Sequence, residues 1–105
     1  MKCPGYDKNK IPIEGKKSDK GKPDWTLLPF DALLEVVKVM DFGAKKYSRD
    51  NWQKVEPHRE RYGAAAFRHL TAWIIGEKND PETGLNHLAH AICCLLFLLW
   101  HDLRG

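Results

Sequence analysis

The sequence predicts an all-α, three-helix subunit that assembles into an oligomeric helical bundle and carries an irregular N-terminal segment. Three observations support this fold. Apolar residues recur at helical spacing in three separate stretches, and no stretch alternates with the period of two that a half-buried strand needs. The last apolar stretch, Ala91 to Trp100, is hydrophobic on nearly every side. A helix of that kind has to be covered all round, which two companion helices in a chain of 105 residues cannot do. A homo-oligomer, a dimer or larger, is therefore expected.

The elements follow in order. Residues 1–24 hold Pro4, Pro12, Pro23, Gly5, Gly15, Gly21 and a succession of lysines, a composition expected to stay extended or disordered on its own. Residues 25–105 form the expected all-α, nucleotide-binding domain. Pro29 suits a first helical turn, and Leu33, Leu34, Val37, Met40 and Ala44 follow at helical spacing, so the first helix is expected over about 29–46. A polar connection, Ser48 to Pro57, contains Trp52. The second helix is expected over about 58–75, with Tyr62, Ala65, Ala66, His69, Ala72 and Trp73 on its inner face and Gly76 as its stop. The third is expected from about 80 to 103, with Asp80 as cap, Pro81 in the first turn and Glu82 complementing the dipole.

Composition excludes several classes. The chain is 30% charged and 43% hydrophobic, ordinary for a soluble globular protein. The ten apolar residues from Ala91 to Trp100 are too few to span a bilayer, and no signal peptide is visible. The net charge of +3 sits in the tail: residues 1–22 contain seven lysines against Asp7, Glu14 and Asp19. The remainder is near neutral, which argues against a nucleic-acid partner. Cys3, Cys93 and Cys94 form no disulfide framework, consistent with reduced thiols and a cytoplasmic protein.

Chemistry concentrates between Arg68 and Ala91. His87 and His90 stand three apart on one face of the expected third helix, beside Glu77, Asp80 and Glu82. A pair at this spacing lacks the i, i+4 histidines and intervening glutamate of the common zinc-hydrolase helix. An oxygen-rich Mg2+ or Mn2+ site is the better expectation, with Glu35, Glu77, Asp80, His87 and His90 as candidate ligands. Glu77 has no capping duty, and Glu35 is the one acid between Ala32 and Met40. Glu35, Glu77 and His87 are the candidate catalytic groups. Lys45, Lys46 and Arg68 are candidate phosphate partners; Arg68 is expected to be buried, where a guanidinium generally has an anionic partner. Tyr47, Trp52 and His69 are candidates for contact with a base.

Several separated motifs occur together. They are Lys17-x-Asp19-x-x-Lys22-Pro23, Leu28-Pro29, Phe42-Gly43-Ala44-Lys45-Lys46-Tyr47, Asn51-Trp52, Arg68-His69-Leu70, Gly76-Glu77-x-x-Asp80-x-Glu82-x-Gly84 and His87-Leu88-Ala89-His90-Ala91. Across about residues 17–98 they resemble the phage dATP/dGTP diphosphohydrolases, related in description to the MazG-like and MazZ-like all-α nucleotide pyrophosphohydrolases. The resemblance implies metal-dependent hydrolysis of a purine deoxynucleoside triphosphate to monophosphate and pyrophosphate by an oligomer. It also implies that Lys22, at the end of the tail, folds back towards bound nucleotide. Those pyrophosphohydrolases carry E-x-x-E/D and E-x-x-D carboxylate pairs. Here Asp31 and Glu35 are four apart, and His87-x-x-His90 stands where E-x-x-D is expected. The alternative function is a non-catalytic protein that sequesters a nucleotide or a nucleotide second messenger and so counters host immune signalling.

Overall fold

The last helix organises the chain. In the computed structural model, which describes residues 15–105, α1 (Phe30–Lys46), α2 (His58–Ile74) and α3 (His87–Leu103) each run 17 residues. Both α1 and α2 pack on α3, which makes α3 the middle helix. The fold is all-α: among the described residues there is no strand, and sheet-type pairing is limited to one isolated bridge between Asn79 and Asn86. Residues 1–14, with Cys3 and the first lysines of the tail, lie outside the described residues. Residues 15–24 are exposed, with a turn closed by the Lys22 N–H donating to the Asp19 carbonyl at 3.0 Å.

The first helix starts at Phe30, directly after Pro29, and ends with Lys45 and Lys46 against its own dipole. Its buried stripe is rotated from the expected one. Val36 is 2% exposed, with Val39 and Met40 packed beside it, whereas Leu34 and Val37 are 52% and 43% exposed. The reason is geometric: α1 packs on α3, so a narrow stripe is covered and its other apolar residues face outward.

The second helix stops as a glycine stop should. Gly76 takes φ +110, its N–H donates to the Trp73 carbonyl at 3.1 Å, and the Glu77 N–H donates to the Ala72 carbonyl at 2.9 Å. This is the paired arrangement of a Schellman cap. It turns the chain back so that Glu77 leaves α2 in a fixed direction.

The third helix begins at His87, not near Asp80. Residues 80–86 close on themselves: Asp80 N–H donates to Leu85 C=O at 2.8 Å and Gly84 N–H to Asp80 C=O at 2.7 Å. Gly84 sits at φ +72, a left-handed backbone that cannot continue a right-handed helix. Asp80 therefore caps a turn, accepting the Glu82 N–H at 3.2 Å, while Asn86 is the true N-cap and accepts the Leu88 N–H at 2.7 Å.

The core is narrow. Val36, Ala89 and Cys93 form its centre, and Ala66, Ala91 and Cys94 are also buried. Burial pushes the Cys93 thiol up to about 12 and the Cys94 thiol up to about 11, so neither is a thiolate at neutral pH. Both thiols are expected to resist a disulfide reagent at pH 8 in the native protein and to react within minutes once it is unfolded, counted by absorbance of the released thiolate. No described helix is long and apolar enough to cross a membrane.

Candidate functional site

A cleft of about 900 Å3 runs between the C-terminal half of α1, the inner face of α2 and the first half of α3. The loop 80–83 closes one end, and the aromatic group Trp52, Tyr62 and Phe97 forms the other. Its volume is within the range of small-ligand sites. Four cations (Lys46, Arg49, Arg61 and Arg68) and four carboxylates (Asp41, Asp50, Asp80 and Glu82) line it.

At the loop end, His69 from α2, Asp80 from the loop and His90 from α3 each offer a ligand atom, and the three atoms lie within 4.8 Å of one another. The rings of His69 and His90 stack at 4.5 Å and 10°. His90 Nε2 stands 3.4 Å from Asp80 Oδ2 and 2.7 Å from Thr83 Oγ1. Thr83 Oγ1 also accepts the Leu85 N–H at 3.1 Å, which fixes the hydroxyl beside His90 Nε2. A His90 ring with its proton on Nδ1 presents the Nε2 lone pair beside the Asp80 carboxylate, an arrangement that a cation completes.

The electrostatics agree. Desolvation, reinforced by repulsion from His90, holds His69 down at about 4. Desolvation also lowers His90, against the opposing pull of Asp80. Both rings are therefore neutral near pH 7 and have lone pairs to give. Two imidazoles and one carboxylate with open positions suit a first-row transition ion better than magnesium, which prefers all-oxygen surroundings.

Behind this set lies a second one. His87, buried, places Nε2 2.7 Å from Glu77 Oε1 and Nδ1 2.9 Å from His69 Nδ1. Glu77 is half-exposed.

The expected site residues are thus sorted by the fold. Asp80, His90 and His69 come together, which makes His69, expected as a base contact, a candidate ligand as well. His87 and Glu77 stand one step behind, joined to the set through His69. Lys46, Tyr47, Trp52 and Arg68 line the cleft. Arg68 is exposed in this subunit, contrary to the expected burial, and among the described residues it makes no ion pair. Lys46 is held by Glu82 at 2.7 Å, a contact that ties α1 to the loop. Trp52 is stacked on Phe97 at 4.3 Å, so one of its faces is already occupied. Glu35 is paired with Lys38 at 2.8 Å on its own helix, and it, Lys45 and Lys22 are not among the cleft-lining residues. Sequence reasoning missed Arg61 and Thr83. Arg61 shares the helical face of Tyr62, Ala65, Arg68 and His69, a spacing that could have revealed it. Thr83 reaches His90 through the loop closure, which has no sequence period.

Residues 12–105 match the family model described as dATP/dGTP diphosphohydrolase, N-terminal. The chain belongs to this family. A relative described as a dATP/dGTP diphosphohydrolase, from Salmonella phage PMBT28, is 38% identical over 88 residues, covering 84% of this chain and 30% of the relative. The chain thus spans about a third of that relative's length. No solved structure matches the chain.

Proposed function

We propose that this chain carries the catalytic centre of a metal-dependent nucleotide diphosphohydrolase, which cleaves a purine deoxynucleoside triphosphate, dATP or dGTP, to the monophosphate and pyrophosphate. The observation that carries this reading is the convergence of His69, Asp80 and His90 at the end of a cleft that also presents Arg61 and Arg68. Family membership and the printed activity of the phage relative support it.

His69, Asp80 and His90 would hold a divalent ion, Mn2+ being the better fit of the two expected ions. Bound there, the ion supplies Lewis-acid polarisation of a phosphoryl oxygen and lowers the pKa of water. The protein's own groups do the rest. Arg61 and Arg68 project from the same face of α2 and neutralise phosphate charge, Arg68 one residue from His69. The aromatic end, with Tyr62 and Phe97, gives a purine an apolar surface at the far side of the cleft from the histidines.

The exposed apolar surface supports a homo-oligomer. Ile92, Leu95, Leu99 and Leu103 form one stripe along α3 and are each at least 45% exposed. Leu95→Asp is expected to shift the protein to monomer at micromolar concentration, read by light scattering, whereas an already monomeric wild type would overturn the assembly.

A panel of nucleotides incubated with and without Mn2+ and resolved by chromatography tests the function. Monophosphate should appear from dATP or dGTP in the metal-containing tubes alone. Nucleotide recovered intact after heat denaturation of the protein would favour sequestration instead.

A further inference from the structure

His69 can ligate a metal through one nitrogen only, because the other is engaged. The same hydrogen bonds decide which nitrogen is free. Glu77 is a carboxylate that accepts, so at 2.7 Å the proton on His87 Nε2 is donated to Glu77 Oε1. His87 Nδ1 stands 2.9 Å from His69 Nδ1, so a single proton is shared between the two nitrogens. Placed on His69, where His87 Nδ1 accepts it, that proton completes a chain of donors running towards Glu77. The lone pair of His69 is left on Nε2.

From this we infer that Glu77 and His87 act as one relay that fixes the tautomer and orientation of His69, so that Nε2 faces a first-row transition cation shared with Asp80 and His90. The relay rests on the metal centre proposed above and adds to it a role for two residues that do not touch the metal. It is the familiar carboxylate–histidine–metal arrangement lengthened by one imidazole. Its parts come from three places in the chain. The Schellman cap at Gly76 directs Glu77, the Asn86 cap places His87 in the first turn of α3, and α2 presents His69. Burial of His87 keeps water from substituting for Glu77 at Nε2, whereas the half-exposed Glu77 links the chain of hydrogen bonds to solvent. Glu77 and His87 are thus positioning residues.

The test uses Co2+ as probe, titrated into the full-length protein and followed by visible absorption. Wild type should bind the ion with bands of mixed nitrogen and oxygen ligation, and Asp80→Asn should lose them. His87→Ala and Glu77→Leu should keep helicity by circular dichroism but bind Co2+ about 10–100-fold more weakly. Adding free imidazole to His87→Ala should restore part of the affinity, a rescue that a purely structural defect would not give. In metal-free wild type, long-range 1H–15N correlation should show His69 protonated at Nδ1; the proton on Nε2 would overturn the relay. If His87→Ala does not fold, Glu77→Leu decides, since its half-exposed side chain can be lost without emptying the core. Wild-type affinity in both variants, with Asp80→Asn still defective, would overturn the relay and leave the metal centre standing. No Co2+ binding by wild type, or equal binding by Asp80→Asn, would overturn the metal centre itself.

Discussion

Asp80→Asn is expected to lower dGTP turnover by about 1,000-fold while leaving the fold intact. The carboxylate is the only anionic member of the candidate ligand set, beside two neutral imidazoles. Replacing it removes the charge that holds a divalent ion there, together with the several kcal/mol of Lewis-acid stabilisation the ion provides. Each 1.4 kcal/mol is about a factor of ten in rate, so a loss of about 4 kcal/mol gives the stated figure. The turn itself should survive. Asparagine can still accept the Glu82 N–H that Asp80 Oδ1 now accepts, and Asn is at home in such turns. Steady-state kinetics with circular dichroism checks both halves. A variant within threefold of wild type would remove Asp80 from the chemistry.

The second large effect is expected at the two arginines. Arg61→Ala and Arg68→Ala should each raise KM for a deoxynucleoside triphosphate by about 10–100-fold, with kcat changed much less. A charge-assisted hydrogen bond to a phosphate contributes about 1.5–3 kcal/mol, which is that range of affinity. Binding should also weaken steeply with salt, because both guanidinium groups are exposed to solvent in the subunit. Isothermal titration with a non-hydrolysable analogue separates this from chemistry. Unchanged affinity in the double variant would mean that the triphosphate lies elsewhere.

The helices were legible because their signals are local. Periodic apolar residues, Pro29 and Gly76 mark α1 and α2 to within a residue or two of the observed bounds. The start of α3 was not legible. Asp80-Pro81-Glu82 has the composition of a helix start, yet Gly84 at positive φ and the Asn86 cap outcompete it, and the chain spends residues 80–86 on a loop. That difference moves Asp80 out of the helix and makes it available to His90. The spacing of the histidine pair marked it as a candidate in the sequence, but its split was not legible. His87 and His90 look equivalent in sequence, and the contact of His87 with His69 on another helix gives each a different partner. Glu35 is a lone acid in an apolar run. Its local pairing with Lys38 is a common use of i, i+3 spacing. The rotation of α1 was not legible because a stripe packed on α3 and an apolar stripe left exposed have the same period.

The most direct measurement is pyrophosphate release from dGTP as a function of Mn2+ concentration, for wild type and Asp80→Asn, with the nucleotide products quantified in the same tubes. No release is expected in chelator; wild type should show saturable release with rising Mn2+ and deoxyguanosine monophosphate in equal amount, and Asp80→Asn almost none of either. Release that persists in chelator, or that is the same in the two proteins, would contradict a catalytic metal centre built from His69, Asp80 and His90.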